Sequence, residues 1–367
     1  MIGLTMPERY LMRRTFRGIM VLGLASYALT VSIDFLEALR QVSDAEGAGT
    51  GDALALTFLR TPQLLMVLSP FVILFGTLLA FAQLARSLEV AVFRAAGFSV
   101  WRIVGAPVLL ALAIGLFLIT IVDPVTTEMA KEADQRLTEY KGRASLEERA
   151  FGEGLWLRQD IVGGDILLIR AGGVDLPNER FTDVTLWRKS PDGRLIDRFD
   201  GPVAELTERE LFLTEASRMA PGEDRSELAG GVRFPTTFSL ADIRRTSQRP
   251  EVLNLWNLPG LMQRIDGAGI PTEPYAQRLH EIYAVPLKLA AMAVIACVFA
   301  LPIHARSGGI GRLVVSGIAA GFLSFILIQF SQALGEAGLI PVIIAAWTPP
   351  LITLLAGLSL LLFREDG

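Results

Sequence analysis

The sequence predicts an integral membrane protein: six transmembrane helices, split three and three by an inserted all-β domain. Three observations carry this. Residues 62–85 and 103–122 contain no Asp, Glu, Lys or Arg over 24 and 20 residues. Each run is long enough to cross about 30 Å of hydrocarbon as a helix. Charge is segregated, with 28 of the 38 acids and 21 of the 34 bases lying between residues 123 and 281, so the flanks are left apolar. From Gly154 the apolar spacing changes from helical to alternating.

The chain opens with Arg9, Arg13, Arg14 and Arg17 ahead of an apolar stretch. A cleaved signal peptide has the same outline, but no small-residue cleavage site closes this one, and the periodicity runs on past Asp34 to Leu39. A retained span over residues 16–39 follows, with its N-terminus inside. Residues 40–60 hold Asp44, Glu46, Asp52 and three glycines, and predict a short, polar external loop. Spans two (62–85) and three (103–122) enclose RSLEVAVFRAAGFSVWR, residues 86–102, with three arginines against the single acid Glu89. The positive-inside rule makes this loop cytoplasmic. Its apolar spacing suits a short amphipathic helix stopped by Gly97. Held sideways by two spans, such a helix is either a docking point for a soluble partner or a plain interfacial turn.

Span three is expected to end at Asp123-Pro124, followed by a charged surface helix through residue 150. The segments GLWLRQ, DILLIR, RFTDVTLWR, RLIDRF, PVAELT, LFLTEA and GVRFPTTF each read as a strand. Turn signals separate them at Gly163-Gly164, Pro191-Asp192-Gly193, Pro221-Gly222 and Gly230-Gly231. Seven short strands fit a β-sandwich, a jelly roll or a barrel. Helix returns near Trp256–Leu258 and again from Glu273. Spans four (282–303), five (313–335) and six (337–363) complete the chain, the last with Pro341, Pro349 and Pro350. The division is 1–123 with a cytoplasmic helix at 86–98, 124–281 for the β domain with its flanking helices, and 282–367. Bases number ten in the segments read as cytoplasmic and two, Arg40 and Arg60, in the short external loops. Both termini are therefore inside and the β domain outside.

The residues point away from catalysis. There is no Walker A pattern, no paired-cysteine motif and no HExxH, and the stretch Ser307–Arg312 lacks a P-loop lysine. Cys297 stands alone in an apolar run, and His280 and His304 sit at opposite ends of one span, too far apart to share a metal. No cofactor is expected. Net charge of −4 predicts no nucleic-acid partner. The informative polar residues lie within spans. Asp34 and Glu37 share a helix face near the external end of span one, and Lys288 sits two turns inside span four. Charges at that depth either line a watery cavity or snorkel to the headgroups. A lipid exporter without its own ATPase, a membrane-anchored lipid-modifying enzyme and a scaffold or sensor all share this architecture.

RYLMRRTF at the start, SPFVILFGTLLAFAQLARSLEVAVFRAAGFS across spans two and three, and GLWLR opening the β domain carry a resemblance. With the three-plus-three topology, the chain resembles the lipopolysaccharide export permeases of the LptF/LptG family over its whole length. Asp34-Phe35, the GLW run and Gly338-Leu339-Ile340-Pro341 favour the LptG branch over LptF. The resemblance implies a periplasmic jelly roll and an inner-membrane location in a Gram-negative cell. It implies that LptF and LptG form a cavity above a dimer of the ATPase LptB, which binds the ATP, and that LptC and LptA receive the lipid. The helix at 86–98 becomes the coupling helix, with Arg86, Glu89, Phe93 and Arg94 toward the ATPase and Glu89 matching the family's acid. The lipopolysaccharide gate is expected at Asp34, Phe35, Glu37, Arg40, Lys131, Arg136 and Lys288. One departure stands out. Relatives carry bases along span one, whereas here only Arg40 keeps that charge, and Lys131 after span three matches another basic position.

Overall fold

A computed structural model describes residues 5–43, 49–141, 155–160, 165–175, 180–190, 192, 194–207, 210–221, 225–228, 230–236, 253, 255–266, 272–301 and 310–366. Helix α1 (Met6–Ser43) leads to α2 (Thr50–Arg86), α3 (Glu89–Ala95) and α4 (Val100–Phe117). A π-turn over Leu118–Val122 joins α4 to α5 (Asp123–Lys141). Strands β1 (Leu155–Asp160), β2 (Ile166–Asp175), β3 (Arg180–Lys189), β4 (Leu195–Leu206), β5 (Glu210–Thr214), β6 (Ser217–Met219), β7 (Ser226–Glu227) and β8 (Val232–Pro235) follow. The chain closes with α6 (Leu258–Asp266), α7 (Glu273–Ala300), α8 (Ile310–Glu336) and α9 (Val342–Asp366). By length and composition, six helical stretches among the described residues can cross a membrane: Met6–Ser43, Thr50–Arg86, Val100–Leu137, Glu273–Ala300, Val315–Glu336 and Val342–Phe363.

Four boundaries differ from the sequence expectation: span six opens at Val342 rather than at residue 337, and three others change for a local reason. The polar loop expected over residues 40–60 is mostly helix, since α1 runs to Ser43 and α2 starts at Thr50. Asp52 accepts a hydrogen bond from the Gly49 N–H at 2.9 Å, capping α2. Ala53 and Leu56 then bury against Ala38 and Val42 of α1 and Ala133 and Leu137 of α5. Pro62 thus lies inside α2, not at its start. Span three does not stop at Asp123-Pro124 either. Proline has no N–H to return to the preceding turn, and the wider π-turn just before it lets the helix continue into α5. The charged helix is described to Lys141, and residues 142–150 lie outside the described residues.

The helices share one core, in which Leu74, Phe81 and Leu84 of α2, Ile103 of α4 and Met292 to Val298 of α7 are buried. Small residues set the close crossings. A Cβ added at Gly76 would come within 2.5 Å of the Ile19 Cα, and one at Gly115 within 2.5 Å of the Pro286 Cα. Here α1 lies on α2, and α4 on α7, backbone to backbone.

The strands form one antiparallel sheet ordered β1-β2-β3-β4-β5-β8, with β6 on β4 and β7 on β6. RLIDRF and PVAELT, read as two strands, are the single strand β4. Gly201-Pro202 looks like a turn but only interrupts the ladder. Pro202 stands opposite Asp183 in β3 and Glu215 beyond β5, and both take positive φ, 51° and 52°. Proline offers no N–H, and the two neighbours turn away from a bond it cannot make. Leu167, Leu186, Leu211, Leu213 and Phe234 fill the sheet's core. The sheet rolls until its edges meet, with the Gln159 side chain of β1 donating to the Pro235 carbonyl of β8 at 2.7 Å. Gly230 and Gly231, at φ 101° and 74°, make the predicted turn before β8. Gly163-Gly164, Gly193 and Gly222 lie outside the described residues.

Candidate functional site

The loop between α2 and α4 is built by local chemistry. Leu88 enters at φ 58°, and α3 ends on Gly97 at φ 84°. The Gly97 and Phe98 amides donate to the carbonyls of Arg94 and Phe93, both at 3.0 Å, and the Phe93 and Phe98 rings pack edge-on at 6.0 Å. That is a Schellman stop with its apolar clasp. Ser99 then starts α4, its hydroxyl accepting from the Arg102 N–H at 3.4 Å.

The faces of α3 are sorted. Val90 is buried and Phe93 half-buried, with its ring 6.3 Å from Tyr10 of α1. Arg86, Leu88, Val92 and Arg94 point into the open, Leu88 and Val92 at 68% and 66% exposure. Glu89 belongs to the inner side. Its carboxylate accepts from the Tyr10 hydroxyl at 2.6 Å and the Ser87 hydroxyl at 2.8 Å, with Arg14 at 3.9 Å. The Tyr10 bond first, then Ser87 and the Arg14 charge, hold this carboxyl below the usual carboxylate range. A second tie joins Arg102 to Glu8 at 2.9 Å, with Arg102 stacked 4.9 Å above the Phe98 ring. Of the four residues expected to couple, Arg86 and Arg94 are thus presented outward, while Glu89 and Phe93 face α1. Tyr10 and Glu8 were not singled out in the sequence, since a partner 79 residues away leaves no local signal.

The expected gate residues spread over three helices. Asp34 is buried in α1 with one carboxylate oxygen unpartnered, and Phe35 is half-buried beside the Ala38–Leu56 cluster. Glu37 accepts from Gln41 at 2.8 Å, and Gln41 accepts from Arg60 at 3.1 Å. Arg40 is exposed. Lys131 and Arg136 of α5 are tied to acids of their own helix, Glu128 at 2.7 Å and Glu132 at 2.6 Å. Lys288 is buried in α7, which packs on α2, α4, α8 and α9, whereas α1 packs on α2, α4 and α5. No direct contact joins Arg40, Lys131 and Lys288 among the described residues.

A third constellation was missed by sequence reasoning. Asp123, 1% exposed, accepts from the Arg278 guanidinium of α7 and from the Leu255 N–H, each at 3.2 Å. It pins the chain entering the β domain to the chain leaving it, above a cluster of Ile119, Leu253, Leu258, Tyr275 and Ile282.

The chain is 24% identical over 369 residues to the lipopolysaccharide export system permease protein LptG of Escherichia coli strain K12, covering 98% of each chain. The LptG protein of Escherichia coli O6:H1 strain CFT073 matches at the same identity and coverage. Residues 9–363 also match the family model described as lipopolysaccharide export system permease LptF/LptG, and with nearly its whole length so matched, this chain belongs to that family.

Proposed function

We propose that this chain is the LptG-type permease subunit of a lipopolysaccharide exporter in the inner membrane of a Gram-negative bacterium. It pairs with LptF to enclose a cavity over an LptB dimer, which binds and hydrolyses the ATP; this chain has no catalytic role of its own. Lipopolysaccharide leaves the inner membrane through the cavity and passes to the rolled β domain, a periplasmic jelly roll, and then to LptC and LptA. The observation that carries this reading is α3. Two spans hold it on the base-rich side of a chain matched from end to end by the family, with Leu88, Val92, Arg86 and Arg94 outward. At the other end of α1, exposed Arg40 and buried Lys288 are the bases best placed to meet lipid phosphates. Lys131 and Arg136 join them by exchanging Glu128 and Glu132 for substrate, with Asp34, Phe35 and Glu37 shaping the gate.

Photocrosslinkers at Phe35, Arg40 and Lys131 are expected to capture lipopolysaccharide in cells, and a soluble Walker-motif ATPase is expected to remain bound after mild detergent extraction. Ser190→Cys is expected to react with an impermeant thiol reagent in cells with a permeabilised outer membrane, and Ser307→Cys to be spared. Absence of a bound ATPase rejects the exporter reading. Labelling with the opposite preference inverts the topology.

A further inference from the structure

We propose that Tyr10 and Glu89 form a latch through which α3 drives α1, so that α1 is the lever carrying ATPase motion to the far side of the membrane. Glu89 then acts as a positioning residue between α3 and α1. The inference rests on the exporter reading of α3. Its physical basis is a closed ring of contacts around the cytoplasmic end of α1. Glu89 is held by Tyr10 at 2.6 Å, Tyr10 packs on Phe93, Phe93 packs on Phe98, Phe98 lies under Arg102, and Arg102 returns to Glu8 at 2.9 Å. Arg14, one turn along α1 from Tyr10, adds its charge to the same carboxylate at 3.9 Å. The outward face of α3 is left to Leu88, Val92 and Arg94, so a partner can seat there without touching the latch.

The far end of the lever is also defined. Helix α1 spans 38 residues with its one proline, Pro7, in the first turn and none from Glu8 to Ser43, whereas α2, α4, α7 and α9 each contain at least one in their interior. At a rise of 1.5 Å per residue it is roughly 57 Å long, and helices bend sharply mainly at prolines and comparable breaks. A tilt imposed at Tyr10 is therefore passed, undamped by a kink, to Asp34, Phe35 and Arg40. A carboxylate gripped by a phenol and an arginine suits this task, since hydrogen bonds to charged groups are short and directional.

The test uses the full complex of this chain with its paralogous subunit and the co-purified ATPase, reconstituted in liposomes with lipopolysaccharide. Tyr10→Phe removes one hydroxyl and keeps the ring on Phe93. It is expected to leave the amount of bound ATPase unchanged while lowering ATP-driven lipopolysaccharide release roughly tenfold, the size of a lost charge-assisted hydrogen bond. Glu89→Ala added to Tyr10→Phe is expected to lower release little further, because both substitutions break one interaction. Glu89→Gln, which still accepts from Tyr10, is expected to restore part of the release lost in Glu89→Ala. Release within twofold of wild type in Tyr10→Phe, additive losses in the double variant, or loss of ATPase in step with release overturns the latch alone. A wild-type complex that binds no ATPase or releases no lipid overturns the exporter reading and the latch with it.

Discussion

The tie between Asp123 and Arg278 offers a direct measure of what holds the β domain's two connections together. Asp123→Ala strands a guanidinium and removes the acceptor of the Leu255 N–H in one step. Removing one partner of a buried ion pair costs about 3–5 kcal/mol. The Arg278 side chain keeps 24% of its exposure, so water solvates part of the stranded charge and the lower end applies, about 3 kcal/mol. With an unfolding entropy of roughly 2.1 cal/mol/K per residue, each kcal/mol moves the midpoint of a 367-residue chain by about 1.3 °C. The thermal midpoint in detergent is thus expected to fall by about 4 °C. Asp123→Asn keeps an acceptor for Leu255 and is expected to fall by less. Adding Arg278→Met to Asp123→Ala removes the stranded charge and is expected to recover more than half of the loss. A drop below 1 °C in Asp123→Ala, or independent, additive drops for the two substitutions, refutes the claim that they act as a pair.

Two further expectations follow from the packing and the latch. Gly76→Ala places a methyl against the Ile19 backbone, so α1 and α2 must separate. A loss of about 1–3 kcal/mol is expected as a lowered thermal midpoint, whereas Gly105→Ala meets no atom within 4 Å and is expected to be neutral. Because the Glu89 carboxyl is held below its ordinary range, its contribution is complete above the ordinary carboxylate range. It is lost as pH falls through the depressed folded value. The difference in thermal midpoint between wild type and Glu89→Gln is therefore expected to be flat from about pH 8 to pH 5 and to shrink on further acidification; a difference that grows in acid reverses the sign.

Elements whose determinants are local were legible in the sequence. Gly97 stops α3 where its spacing predicted, because a Schellman stop is written within six residues. Glu273 opens α7 with a proline right behind it, as expected. Three of the misread boundaries involve proline. Pro62, Pro124 and Pro202 read as breaks, and the surroundings absorb each one: buried packing under α1, a π-turn, and two neighbours at positive φ. The site divides the same way. Outward Arg86 and Arg94 follow from the periodicity of α3, while the inward turn of Glu89 depends on Tyr10, and the role of Asp123 on Arg278, 155 residues away. Pairings of that span are set by the assembled helices, and nothing in a short window of sequence encodes them.

The rolled sheet also bears on the order in which the protein is made. Its ladder pairs mostly nearest neighbours in sequence, so β1 to β4 can zip up as they emerge, at little loop-closure cost. Among the described strands, β6 joining β4, β8 joining β5 and the seam from Gln159 to Pro235 must wait for later chain. Helices α2 and α4 wait longer still, because α7, the helix they pack against, is synthesised after the whole β domain. At about 5–20 residues per second, the roughly 150 intervening residues leave α2 and α4 about 8–30 s without that partner. During that interval the grooves around Leu74 and Gly115 are open to lipid or to a quality-control protease, which makes slow translation across the β domain a hazard for this chain.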